Sequence, residues 1–576
     1  MKNISLLLIL FAFNFHTHAQ QNTLFEQSQG KETATYEEVI GFYKILAETS
    51  DKVQMLEKGQ TDSGKPLHLI IYDQASDFDV DKWKRGNKKV ILINNGIHPG
   101  EPAGIDASMI LLRDIIQKKV TLADDIILAI IPIYNIGGHL NRNSTSRVNQ
   151  NGPQAYGFRG NARNFDLNRD FIKSDTKNAR SFQEIFHWLK PLVFIDTHTS
   201  NGADYQHIMT LIPTQHDRLG GELGEYLHNR MIPYLFTEME KEGFPMVPYV
   251  NAWSGTPENG WSQFKDSPRY SSGFAALFHT MSFMPEAHML KTYEERVNSM
   301  ITLLKIFLLS VEKDGSEMLQ MKARDEKNTI ENKSFGFNHV SDKTKYTEIP
   351  YHGYESGTKL SEVSGHDRLY YDQSKPFSTK VKYYDTYKTS LELTKPKAYI
   401  IPQGWYDVVD NLSRNGVELI ELEKDSTVQA TVYHIENFET ASRPYEGHYL
   451  HSSVSVQALT ERVTLKKGDF LLPMNQVSNR FVMEVLEPQA EDSYFVWNYF
   501  DTILQAKEGY SAYVFEDLAA DFLRENPHIK EELERKKGDE PDFAADGSAQ
   551  LRWVFEQSPW KEAAHNRYPI YRIEQD

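Results

Sequence analysis

A histidine and a glutamate three positions apart, His98 and Glu101, sit in the glycine- and proline-bent stretch NNGIHPGEPAG, which follows the apolar run VILI. Further along, FIDTHTSNGAD sets His198 just past a second apolar run. Two imidazoles and one carboxylate arriving from separate strand ends make the three-ligand set with which catalytic zinc is held while a fourth position stays open for water. A structural zinc site would fill that position, typically with cysteine, and the chain has no cysteine. On its own, His-x-x-Glu is a weak signal, because such pairs are common in surface loops. Its company strengthens it. The segment RGNARNFDLNRDF brings Arg159, Asp166, Asn168 and Arg169 together, and FHTMSFMPEAHMLK runs a buried-looking stretch into Glu286. The plain alternative for Glu286 is a carboxylate favoured by the dipole at a helix start.

Such residues converge only if strands deliver them to one edge of a sheet. From Tyr36 to about Gly315, apolar runs (VILI, DIILAIIPIYN, LVFIDTH) alternate with stretches of helical period (GIDASMILLRDIIQ, KNARSFQEIFHWL). That alternation predicts an α/β domain over residues 36–314, with a mixed, mainly parallel sheet flanked by helices. In such sheets ligands collect outside the carboxyl ends of the strands, where His98 and His198 fall. The run Met300 to Lys313 reads as a core-packing helix, too short and too charged to span a bilayer. After Ser316 the texture turns polar and then tyrosine-rich with short β-like runs, which predicts a β-rich C-terminal accessory region over 345–576. Within it, Leu486 to Asp501 (LEPQAEDSYFVWNYFD) reads as buried β-rich core.

The whole chain has 576 residues, 40% hydrophobic and 25% charged, with a formal net charge of −17 spread along its length. A nucleic-acid footprint is therefore not expected. Residues 1–19 (MKNISLLLILFAFNFHTHA) pair a basic start with a short apolar stretch and a small residue, the pattern of a signal peptide. Secretion or periplasmic export, without a membrane span, is the resulting expectation.

Taken together and in this order, His98-x-x-Glu101, the Asp-x-Asn-Arg run at 166–169, His198 and Glu286 resemble the zinc carboxypeptidases of the M14 family, the carboxypeptidase A superfamily. The likeness covers roughly residues 36–314, and the C-terminal extension is similar to that of bacterial secreted members. The resemblance implies one Zn²⁺ per chain held by His98, Glu101 and His198, with Glu286 as general base. It implies further that Arg159 stabilises charge on the scissile carbonyl, with Arg147 and Arg163 as fallbacks, and that Asn168 and Arg169 grip the substrate's terminal carboxylate. Asp166 would accept the outer N–H of His98 and so fix its orientation, and Tyr270 is the candidate for the tyrosine that closes over the substrate. The family's usual NPDG-like turn stands here as YNIGGH, Tyr134 to His139, so pocket details do not carry over. The implied activity is removal of a C-terminal residue from a peptide or a peptidoglycan-type stem peptide. Two readings compete with it: a zinc amidase acting on small acylated amino acids, and a catalytically silent binding protein that keeps the fold.

Overall fold

The computed structural model describes residues 22–252 and 255–575. The expected signal peptide lies outside them. Ten strands open the chain: β1 (Val53–Gln60), β2 (Pro66–Tyr72), β3 (Lys89–Asn94), β4 (Ile126–Ile131), β5 (Val193–Asp196), β6 (His198–Ser200), β7 (Met209–Pro213), β8 (Val247–Pro248), β9 (Trp261–Ser262) and β10 (Met281–His288). All but β9 join one sheet in the order β1-β2-β4-β3-β5-β10-β7-β8, with β6 also on β10. The β3/β4, β3/β5, β5/β10, β6/β10 and β7/β8 pairs are parallel, and β1/β2, β2/β4 and β10/β7 are antiparallel. This is the mixed, mainly parallel α/β class expected from the sequence. Strands β3, β4 and β5 are buried at every position, and apart from Lys89, Asn94 and Asp196 at their ends they are apolar, as expected where both faces of the sheet are covered.

The helix Ala103–Ile116 starts directly after the His98–Glu101 loop. It packs so tightly there that a Cβ on Gly104 would lie 2.0 Å from Thr197 Oγ1, so only glycine fits. The apolar run at 300–313 lies inside a single helix, Tyr293–Glu331, that begins with a Thr292/Glu295 capping box. Among the described residues no helix is long and apolar enough to cross a membrane.

The C-terminal region is β-rich, as expected: a six-stranded sheet that includes the long hairpin Ser426–Thr440 with His451–Leu465, and a second long hairpin, Thr347–Leu360 with Asp367–Tyr384. It also carries helices between Ala512 and Glu556. The segment 486–501 departs from expectation. Tyr494, Phe495, Trp497 and Phe500 are buried, yet the backbone runs through turns rather than a strand. Its aromatic content signalled burial, which a turn satisfies as well as a strand does. The hydrophobic cluster beneath one face of the main sheet, with Phe171, Phe182 and Phe194, continues into Tyr399, Phe481, Trp497 and Tyr568. One core thus spans both halves of the chain.

Candidate active site

The sheet order brings the chemistry together. The loop after β3 carries His98 and Glu101, β6 opens with His198, and Glu286 sits on β10 in parallel register with His198. The site therefore lies at the carboxyl ends of β3, β5 and β10. Glu286 is inside a strand, six residues before the helix cap at Thr292 and outside the reach of that helix dipole. One ligand atom from each of His98, Glu101 and His198 lies within 4.8 Å of the others, and all three side chains are at most 3% exposed.

Each imidazole is anchored from behind. His98 Nε2 is 2.8 Å from Asp166 Oδ1, and His198 Nε2 is 3.0 Å from Asp196 Oδ2. This leaves both Nδ1 atoms facing Glu101, at 3.3 Å from Oε1 for His98 and 3.2 Å from Oε2 for His198. His98 Nδ1 is buried and lacks a hydrogen-bond partner. A buried orphan nitrogen beside a carboxylate and a second imidazole, each ring fixed by a carboxylate on its far side, is the donor arrangement that suits a zinc ion.

The electrostatics follow from burial. Desolvation works against the charge on Glu101, but Arg147 and His98 hold its pKa well below the usual carboxylate range. Desolvation likewise opposes the charge on Asp166, and His98, Arg159 and Arg169 overcome it. Burial disfavours protonated His198, yet Asp196, Glu101 and Glu286 raise its pKa well above that of an ordinary histidine. Glu286 is pushed up to about 8, first by burial, with His198 pulling down and Glu101 pushing up. Its environment is thus opposite to that of Glu101 on the same wall.

A cavity of about 530 Å³ joins these groups to Arg159, Asn168, Arg169 and Tyr270. Arg159 donates from Nε (2.9 Å) and Nη2 (2.8 Å) to Asp166 Oδ2, and Nη1 is 3.5 Å from Glu101 Oε1. Asn168 Oδ1 accepts the Ser271 N–H (3.1 Å), and Arg169 stacks over the Tyr270 ring at 4.4 Å. Asp166 stands behind His98 rather than on the cavity wall. Arg147, also on the cavity wall, donates to Glu101 Oε1 at 2.8 Å and to the Thr199 carbonyl at 3.2 Å, so it braces Glu101. Arg163 is not on the cavity wall; it reaches the Asp175 carbonyl and covers the Phe165 ring. His288 is occupied by the Ala203 carbonyl and the Leu290 N–H, which makes it structural. Sequence reasoning missed Asp196, although its place two residues before His198 is a signal. It also missed Tyr249, which lines the cavity with nothing local to distinguish it among 30 tyrosines.

Fold and site together suit a metal-dependent hydrolase. Residues 42–190 match the model of the zinc carboxypeptidase family, Peptidase M14. Over that span the chain is similar to the zinc metallocarboxypeptidases. It is similar to carboxypeptidase 2 of Trichophyton rubrum, 21% identical over 81% of this chain and 84% of that protein. It is similar, too, to a probable carboxypeptidase 2 of Arthroderma benhamiae, 20% identical over 81% of this chain and 86% of the relative. Among solved structures, a metallo-carboxypeptidase from Burkholderia cenocepacia aligns with a TM-score of 0.36 and 16% identity, over 49% of this chain and 70% of that one.

Proposed function

We propose that the protein is a zinc exopeptidase that hydrolyses the C-terminal peptide bond of peptides, free or as peptidoglycan stem peptides. His98, Glu101 and His198 are its zinc ligands, for one ion per chain. The observation that carries this reading is the convergence of their three ligand atoms beside Glu286, in one cavity with Arg159 and Arg169. When bound, zinc supplies Lewis acidity and a water that ionises near neutral pH. Asp166 and Asp196 hold the far nitrogens of His98 and His198, which fixes ring orientation and raises ligand basicity. Glu286 is the general base: its carboxylate takes a proton from the attacking water and returns it to the leaving amine. Arg159 offers its guanidinium to the negative charge that grows on the scissile carbonyl oxygen.

Arg169, with Asn168, grips the substrate's terminal carboxylate through charge-assisted hydrogen bonds, and Tyr270, already stacked on Arg169, closes the pocket. This grip makes the enzyme an exopeptidase. In this reading residues 36–314 form the catalytic domain, 345–576 the C-terminal region, and 1–19 a signal peptide that sends the protein out of the cytoplasm. The test compares free and C-terminally amidated peptides, with and without a chelator. Amidation removes the charge that Arg169 meets, at a cost of ~1.5–3 kcal/mol. Cleavage of free peptides, slowed about tenfold or more by amidation and abolished by chelation, is expected. Equal cleavage of both would point instead to an amidase or an endopeptidase.

A further inference from the structure

The tip of a C-terminal hairpin reaches back to the segment that carries Arg159, Asn168 and Arg169. Strands Ser426–Thr440 and His451–Leu465 pair antiparallel. Beyond them the chain reverses through a two-residue turn in which Tyr445 and His448 exchange both backbone hydrogen bonds, at 2.8 and 3.0 Å. The central residues, Glu446 and Gly447, have φ of 50° and 81°. Positive φ at both positions is the mark of a type I′ turn, which favours Asn, Asp or Gly. Glutamate is a poor choice there, because a side chain with a Cβ crowds its own backbone in the left-handed region. A residue held against its backbone preference is a reason to ask what its side chain does.

Glu446 Oε2 accepts the backbone N–H of Asp166 at 2.8 Å, across 280 residues of sequence. Its neighbours close on the same segment. A Cβ on Gly447 would lie 3.2 Å from the Phe165 ring, so the turn backbone rests against that ring, and His448 Nε2 is 2.8 Å from Asp175 Oδ2. Asp166 is the residue whose side chain holds His98 Nε2 and Arg159, and whose Oδ1 accepts the Asn168 N–H at 2.9 Å. Fixing its backbone fixes all three contacts.

We infer that Glu446 is a positioning residue for the active site: through the Asp166 backbone, the C-terminal hairpin sets the orientation of His98, Arg159 and the Asn168–Arg169 grip. The C-terminal region is then part of the construction of the site, not an appended module. The inference rests on the metallocarboxypeptidase reading above. Because the strained turn and the acceptor belong to one residue, they can be separated from a general structural role. Glu446→Gly removes strain and acceptor together, so its Tm should equal or exceed that of wild type while zinc affinity and kcat/KM each fall ~10-fold or more. Glu446→Gln keeps an acceptor oxygen and should stay within about threefold of wild type. Glu439→Ala, on the exposed flank of the same hairpin where the carboxylate accepts from Ser453 Oγ, should change neither quantity.

Wild-type zinc affinity and turnover in Glu446→Gly would overturn the inference, as would a loss of activity that merely follows a lower Tm. Zinc affinity is read by competition with a chromophoric chelator. If wild type binds zinc but cleaves no peptide, the functional reading fails while the zinc measurement still judges Glu446.

Discussion

Replacing Asp196 isolates the contribution of a residue that never touches substrate. Asp196 is fully buried, with Oδ2 at 3.0 Å from His198 Nε2 and Oδ1 accepting from Asn94 Nδ2 at 3.0 Å. The first contact is charge-assisted on the carboxylate side, a class worth ~1.5–3 kcal/mol. At ~1.4 kcal/mol per decade this is roughly 10- to 150-fold in zinc Kd, in line with the ~10–100-fold typical of carboxylates behind metal-bound histidines. Asp196→Asn keeps the volume and one acceptor oxygen, which serves His198 only if the amide nitrogen turns toward the Asn94 donor, so it should fall at the lower end, near tenfold. Asp196→Ala removes the anchor and should approach the upper end. Both are measured by titrating apo-protein with zinc against a chromophoric chelator, with circular dichroism confirming the fold. If both folded variants bind zinc within about twofold of wild type, the anchoring argument is wrong, and the orientation of His198 must come from strand packing alone.

Glu286→Gln keeps size and reach but cannot take a proton, so kcat should drop ~10²–10⁴-fold with zinc content and Tm unchanged; near wild-type turnover would remove Glu286 from the mechanism. The cavity wall beside Arg169 is formed by Ile212, Phe264 and Met284, with Ile212 and Met284 opposite each other across β7 and β10. In the proposed reading the charged residues lining the cavity are taken up by metal, proton transfer, the scissile carbonyl, the terminal carboxylate or, for Arg147, Glu101, so peptides ending in Leu or Phe should be cleaved at least ~10-fold better than those ending in Lys. Ile212→Asp should narrow or invert that ratio, and a wild-type preference for Lys would contradict the assignment of the wall. Away from the site, buried Glu484 is lifted by desolvation from 4.5 to about 8, with Arg218 pulling the other way. Because its folded pKa is raised, its contribution to stability is complete below pH 4.5 and is lost as pH rises through 8, so the Tm advantage of Glu484→Gln should grow across that window. A Tm difference independent of pH would refute this.

Much of the site was legible in the sequence because its signals are local. His98 and Glu101 share one turn, Asp166, Asn168 and Arg169 share another, and His198 and Glu286 each follow an apolar run. The α/β class was legible for the same reason, since helix and strand periods are written in neighbouring residues. The segment 486–501 shows where local signals stop. Its aromatic residues announced burial, but turn and strand bury rings equally well, and only contacts with the sheet's core distinguish them.

By itself, then, the sequence determined which residue types are available to hold a metal, move a proton and grip a carboxylate, and that strand ends would present them. Tertiary structure alone decided the partnerships. His198 meets Glu101 across 97 residues because β3, β5 and β10 are neighbours in the sheet while distant in the chain. It tied Arg147 to Glu101, set Asp196 behind His198, and brought Glu446 to Asp166 from 280 residues away. The physical reason is that residue type and period are properties of short stretches, whereas burial, hydrogen-bond partners and the pKa shifts they cause depend on which distant segments pack together.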